Sequence, residues 1–248
     1  ECTTYQCYKG GPQKGEGMET DGCPLYSHPA QLEDNRDCVL CMTCLKACPH
    51  RSVELNLRPP GIELWTTHVP RSYEVALLML LLGGIFLHRL PEIEAVLGLN
   101  LNLTQFWPHF AVSLAALIIP ASIPFLAYGF IKLFHGSLKS RSFVELAYGY
   151  LPLVWGGSLA HYLRLGLGEA GRIIPVSFAT FGLNGEELPI LIAHPAVIAF
   201  LQGTTLMASV FLSAILTQKI ARQPFRLLLP QHLATVILAI SLWAIIVR

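Results

Sequence analysis

The strongest constraint on the fold of this chain is the series of long apolar runs that begins after residue 72. Each run approaches or exceeds the roughly 20 residues that a helix needs to cross a bilayer. They predict about five membrane-spanning helices, at residues 75–90, 107–134, 143–165, 190–216 and 227–247. With 53% hydrophobic and 13% charged residues, the 248-residue chain is too apolar for an ordinary soluble domain. A large buried helical bundle is the alternative, and such long runs with so few charges disfavour it.

The cysteines divide the chain differently, because all 7 lie within the first 48 residues. An odd number confined to one end does not match a disulfide framework, which would spread its bridges through the fold. We therefore expect metal ligation and a reducing compartment. The sequence predicts a cysteine-rich domain at residues 1–58, a proline-containing connector at 59–73 and a transmembrane domain at 74–248.

Four of these cysteines form a motif with a defined chemistry. Cys38, Cys41, Cys44 and Cys48, followed by Pro49, give the spacing C-x2-C-x2-C-x3-C-P, which in bacterial ferredoxins binds [4Fe–4S] clusters. A structural zinc site also accepts four cysteines, but its ligands are usually two pairs placed far apart. The motif predicts iron–sulfur binding. The alternation at residues 52–55 further predicts a short strand after it.

This cysteine segment, followed by several membrane spans, resembles the membrane-bound polyferredoxins of bacteria. That family includes accessory proteins of nitrate and nitrous-oxide reduction and the cytochrome-oxidase maturation type. The resemblance is specific over residues 23–55, with Asp37 before the motif and Ser52 and Val53 after it. It implies a mostly α membrane protein, in which a ferredoxin-like α+β segment precedes the bundle of about five helices.

The resemblance also implies how the cysteines are shared, since in two-cluster ferredoxins the last cysteine of one run ligates the other cluster. The first cluster would be bound by Cys38, Cys41, Cys44 and Cys23. The second would be bound by Cys2, Cys7 and Cys48. We expect its fourth ligand upstream of Glu1, because the chain begins without Met and is interpreted as a fragment. Without that ligand, the second site would hold a three-iron cluster or none.

Loop charges predict the orientation in the membrane. Lysines and arginines are concentrated in the connector and in the loops that follow the second and fourth predicted spans. The positive-inside rule then places those loops and the cysteine domain in the cytoplasm. The resemblance to bacterial polyferredoxins implies that the spans lie in the inner membrane. The formal net charge of +1 gives no indication of nucleic-acid binding.

Four histidines are predicted to lie near the opposite, non-cytoplasmic side of the membrane: His88, His109, His161 and His194. Histidines at such positions ligate b-type haem or contact a quinone head group, and they also form simple hydrogen bonds with backbone carbonyls. His161 is the preferred candidate for a quinone or haem site, with His109 and His194 beside it.

These features predict an iron–sulfur protein that transfers electrons between cytoplasmic [4Fe–4S] clusters and a quinone or a partner redox protein. It would be an electron carrier or a subunit of an oxidoreductase rather than a stand-alone enzyme. A factor for the maturation of metal centres and a redox-sensing membrane regulator are the alternatives. No nucleotide-binding motif and no covalent haem motif is present in the sequence.

Overall fold

The computed structural model describes residues 6–10, 19–32, 38–59, 61–66, 68–98, 103–135, 141–185 and 188–247. The chain forms two compact units, Glu1–Pro60 and Gly61–Arg248. Each unit has its own set of helices and its own buried residues.

The N-terminal unit contains short helices packed around cysteine side chains. Helix α1 is Gln6–Lys9, a 3-10 helix covers Pro29–Gln31, and helix α2 is Thr43–Ala47. Helix α2 stops at Cys48, whose backbone is extended because a residue that precedes a proline disfavours the helical conformation. Helices α1 and α2 pack on each other, and Cys7, Ala47 and Cys48 are buried.

The prediction of a ferredoxin-like α+β segment is wrong. No strand occurs among the described residues, and residues 51–59 have no regular structure. An alternating run forms a strand only when a neighbouring strand pairs with it, and the described part of this unit provides none. Ser52 lies instead beside Cys48, with its hydroxyl 3.4 Å from the thiol sulfur.

The regular structure in the described part of the second unit is all helical. Its longer helices are α4 Ser72–Leu87, α5 Leu90–Leu97, α6 Phe106–His135, α8 Leu151–Glu169, α9 Ile173–Thr180, α10 Pro195–Ala221 and α11 Leu229–Ile246. The short helices are α3 Glu63–Thr66 and α7 Phe143–Ala147, with 3-10 turns at Tyr148–Tyr150, Ala170–Arg172 and Phe225–Leu228.

The prediction of about five spans is also wrong. In the described residues, 3 helical segments are long and apolar enough to cross a membrane: Phe106–Phe134, Pro195–Ala221 and Phe225–Ile246. A fourth is added if Ser72–Leu87 and Leu90–Leu97, which are bent by 64° at their junction, form one broken span. The chain is thus a membrane protein, and its described residues include three such helices and a bent helical pair.

Local sequence explains why the predicted spans at 75–90 and 143–165 do not form single straight membrane helices. Pro91 has no N–H to continue the helical hydrogen bonds, so α4 ends before it and α5 starts in a new direction. The predicted span at 143–165 is divided into α7, a 3-10 turn and α8. Because α8 includes His161, Arg164 and Glu169 together with four glycines, it is less apolar than the other long helices.

Helices α4, α6, α8, α10 and α11 surround one apolar core. Small residues allow close approach between helices, as at Gly83, where an added Cβ would overlap the backbone of Leu117. Buried amides also join the helices: Gln202 Nε2 donates to Ala160 O at 2.9 Å, and Gln231 Nε2 donates to Leu146 O at 3.0 Å.

Candidate metal centre and membrane histidine cluster

The predicted metal-binding motif occupies a loop that turns sharply and then enters helix α2. Leu40 and Met42, on either side of Cys41, both have left-handed backbone conformations, with φ of 52° and 61°. Helix α2 begins directly after Met42 and carries Cys44 in its first turn. The N–H of Cys48 donates to the carbonyl of Cys44 at 3.2 Å. The loop and the short helix therefore place four cysteines on a compact stretch of backbone.

Left-handed conformations at residues other than glycine are uncommon, so two of them in three residues mark a constrained turn. Alternation of right-handed and left-handed residues forms concave nests of backbone N–H groups, which bind phosphates and iron–sulfur clusters. Leu40 and Met42 are suited to such a turn around Cys41. The positive φ of Leu40 and Met42 is compatible with such a nest at Cys41.

The cysteines of the motif differ in their surroundings. Cys41 is exposed, and the Thr43 hydroxyl donates to its sulfur at 3.2 Å, which lowers the pKa of the thiol. Burial raises the pKa of the Cys44 thiol. Burial also acts to raise the pKa of Cys48, but hydrogen bonding from Ser52 and the nearby backbone outweighs it, so this pKa is lowered. Cys41 and Cys48 therefore form the thiolate, which is the form that binds metals, more readily than an ordinary cysteine does.

Cys7 and Cys23 lie on two backbone segments that touch. The N–H of Cys23 donates to the Tyr8 carbonyl at 3.0 Å, one residue beyond Cys7 in helix α1. Gly10 and Gly22 have φ of 95° and 85°, and an added Cβ on Gly22 would lie 2.7 Å from the nitrogen of Gly10. Only glycines permit this crossing, since they alone combine positive φ with the absence of a side chain. The crossing holds the chain around Cys7 beside the chain around Cys23.

The predicted first ligand set, all of whose cysteines are among the described residues, is not gathered into a metal site. Among the described residues, no group of three or more His, Cys, Asp or Glu side chains is arranged to hold a metal ion. Cys2 lies outside the described residues, so the second ligand set is represented there only by Cys7 and Cys48. Metal binding is coupled to folding, so ligation supplies free energy that helps to gather the cysteine side chains. The thiol donors and the turn around Cys41 nevertheless fit an iron–sulfur cluster, and the division of ligands stays a prediction.

In the second unit, called the membrane unit from here on, His161 forms a polar cluster with His88, Arg89 and Glu92. The Nε of Arg89 donates to His161 Nδ1 at 3.0 Å, and a terminal nitrogen of Arg89 donates to Glu92 at 2.7 Å. The ring of His88 stacks on that of His161, with centroids 5.5 Å apart. Arg89 is only 7% exposed, whereas His161 is half-buried and His88 is exposed. The break between α4 and α5 thus directs Arg89 onto helix α8.

The hydrogen bond from Arg89 fixes the tautomer of His161. A guanidinium has only donors, so Nδ1 of His161 must accept and cannot carry a proton. The neutral ring then carries its proton on Nε2, which is a donor. A histidine that ligates haem through Nε2 needs that nitrogen unprotonated, usually with Nδ1–H donating to another group. The cluster is therefore better suited to donate a hydrogen bond to an acceptor, such as a carbonyl, than to ligate iron.

The other two predicted histidines have different settings. His109 is exposed near the start of α6. His194 is exposed and caps helix α10, since its Nδ1 accepts from the N–H of Ala196 at 3.2 Å. Within the described residues, neither joins a metal-binding group. The cap gives His194 a local structural role.

Sequence reasoning missed Arg89, although a signal was present. An arginine inside or beside a long apolar run is unfavourable in a membrane unless it finds a partner, so its presence points to one. Its partner His161 lies 72 residues away, on a helix whose rotation the sequence pattern does not reveal.

Comparisons with known protein families, with curated proteins and with solved structures gave no match to this chain.

Proposed function

We propose that this chain is a membrane-bound iron–sulfur protein that transfers electrons between [4Fe–4S] clusters and a membrane quinone or a partner redox protein. The observation that carries the proposal is the cysteine motif itself, placed on a turn with left-handed Leu40 and Met42. Zinc ribbons also use four cysteines, but the spacing here is that of ferredoxin clusters. The apolar helices of the second unit would hold this centre at a membrane.

The ligands that we propose follow the resemblance to polyferredoxins. Cys38, Cys41 and Cys44 would bind one cluster together with Cys23. Cys48 would turn to a second site with Cys7 and Cys2. A bound cluster supplies reversible one-electron chemistry, at a potential set by charge, hydrogen bonds and exposure. The hydroxyls of Thr43 and Ser52, already directed at the sulfurs of Cys41 and Cys48, are suited to adjust that potential.

The membrane unit would contribute the contact with quinone. We propose that His161 donates its Nε2–H to a carbonyl oxygen of the quinone ring. Arg89 would hold His161 in the required tautomer from within the bundle. His88, which stacks on the same ring and is exposed, would form the outer edge of the site. The hydrogen-bonding state of His161 supports a quinone over haem b at this position.

Metal analysis tests the iron–sulfur proposal. The chain is purified without oxygen, and its iron, acid-labile sulfide and zinc are measured together with low-temperature EPR of the reduced protein. Cys41→Ala is expected to remove the cluster shared by Cys38, Cys44 and Cys23, whereas Cys48→Ala damages the other one. Zinc without iron in the wild-type protein would overturn the proposal.

A matched control keeps that test specific. Thr43→Val removes the hydroxyl that contacts Cys41 without removing a proposed ligand. It should leave the iron content unchanged while shifting the redox potential. Identical EPR spectra for Cys41→Ala and Cys48→Ala would contradict the division of ligands but not the presence of iron.

A further inference from the structure

One end of the second unit contains a polar cavity of about 220 Å³. It lies between the segment that precedes α4, the start of α7 and the end of α10. Its walls include Trp65, His68, Arg141, Tyr148, Ile220 and Arg222. The cavity is separate from the His161 cluster, because Glu74 near its wall and His88 lie at opposite ends of α4. They are 14 positions apart, which at 1.5 Å per residue corresponds to about 21 Å.

We propose that this cavity binds the phosphate of an anionic phospholipid head group. The proposal depends only on the membrane location of the chain and is independent of its redox function.

Two guanidinium groups provide the positive charge. Arg222 uses one terminal nitrogen to donate to the Trp65 carbonyl at 3.1 Å. Arg141 uses one terminal nitrogen to contact Glu145 at 3.2 Å. Each guanidinium has five N–H donors, so both keep further donors for a ligand in the cavity they line. Arginine is also the side chain best suited to bind phosphate oxygens in pairs.

The nearby carboxylates already have partners. Glu145 accepts from Arg141 and, through its other oxygen, from the N–H of Ser142 at 2.8 Å as part of a capping box. Glu74, behind the cavity wall, accepts from the Tyr148 hydroxyl at 2.5 Å and lies 3.8 Å from His68 Nε2. One lining carboxylate faces two lining arginines, so the cavity favours an anion.

The position in the bundle favours a lipid over a soluble phosphate. Ile220 and Arg222 lie at the end of Pro195–Ala221, and Phe225–Ile246 begins three residues later. Ends of membrane-crossing helices lie at head-group depth, where tryptophan and tyrosine are enriched. Basic pockets between membrane helices bind anionic head groups. The volume is below the 300–1,000 Å³ of typical small-molecule pockets and suits a head group.

Lipid titration of the full chain in neutral detergent tests the proposal. Phosphatidylglycerol should raise the Tm and remain bound in native mass spectra, while phosphatidylcholine should do neither. Arg141→Gln and Arg222→Gln should each weaken binding of phosphatidylglycerol about tenfold or more, as expected for loss of a charge-assisted hydrogen bond. Arg226→Gln is the matched control, because Arg226 is exposed in the 3-10 turn that follows Arg222 but does not line the cavity. It should change the affinity less than twofold.

Three outcomes would overturn the proposal. Equal binding of phosphatidylcholine, or unchanged affinity in Arg141→Gln, would show that the arginines do not select an anion. Inorganic phosphate that stabilises the protein as well as phosphatidylglycerol would identify a soluble ligand instead. Arg141→Gln is decisive even if Arg222→Gln fails to fold, since the Arg141 side chain is 42% exposed and its replacement is expected to preserve the fold.

Discussion

Replacement of Arg89 tests the hydrogen bond on which the proposed quinone contact depends. Arg89→Gln removes the donor to His161 Nδ1 and the ion pair with Glu92. Hydrogen bonds that involve a charged group contribute about 1.5–3 kcal/mol. The Glu92 side chain is 26% exposed, so water offsets part of the cost of leaving it unpaired. We expect a loss of about 2–4 kcal/mol, or a fall in Tm on the order of 5–10 °C.

The functional effect should be larger than the effect on stability. Without Arg89, His161 is no longer held as the Nε2–H tautomer, and its donor is not fixed toward a quinone. Arg89→Lys retains the charge but lacks the planar fork that reaches His161 and Glu92 together. We therefore expect it to recover part of the stability but not the rate of electron exchange with quinone.

The assay combines thermal unfolding with stopped-flow reoxidation of the reduced clusters by a short-chain quinone in detergent. Arg172→Gln serves as the control, since Arg172 and Glu169 form an exposed surface pair of little energetic value. Wild-type exchange rates in both Arg89→Gln and His161→Ala would refute the reasoning. So would b-type haem absorption that disappears in His161→Ala, because Nε2 would then be the iron ligand.

Three further changes test local features of the structure. Gly156→Val should destabilise the α8–α10 contact by about 1–3 kcal/mol, because a Cβ there overlaps Ser209, whereas Gly166→Val meets no neighbour and serves as its control in thermal unfolding. His194→Ala should cost about 1 kcal/mol through loss of the α10 cap and leave quinone exchange unchanged. Thr43→Val should raise the pKa of Cys41, because it removes the hydroxyl that stabilises the thiolate. The pH profile for alkylation of Cys41 by iodoacetamide, measured in the metal-free chain, should therefore move to higher pH. An unmoved profile would show that the hydroxyl does not stabilise the thiolate.

The apolar runs located most membrane helices but not their exact number. The run at 107–134 corresponds to Phe106–Phe134, and the run at 227–247 corresponds to Phe225–Ile246. The run at 190–216 begins too early, because Pro195 sets the first turn of α10 and His194 caps it. The errors at 75–90 and 143–165 arise where prolines, glycines and charges interrupt an apolar run and the chain changes direction.

In the N-terminal unit, the sequence predicted a candidate metal site but not the secondary structure around it. The cysteine spacing, which is local, predicted where a metal would bind, and that prediction awaits its test. The expected strand at 52–55 failed because a strand depends on pairing with a second segment, which alternation in one segment cannot supply. The same limit applies to the backbone around the proposed ligands. The segments that carry Cys7 and Cys23, which belong to different predicted ligand sets, lie beside each other because of a glycine crossing and not because of their spacing in sequence.

The sequence by itself determined which apolar segments must be removed from water, in a membrane or a core, and where the thiols are concentrated. Both follow from composition and spacing along one stretch of chain. Only the tertiary structure decided that Arg89 meets His161 and that Arg141 and Arg222 line one cavity. These pairs are far apart in sequence. Their contact depends on where α4 breaks and how each helix is rotated against its neighbours, and those choices are made by packing throughout the bundle.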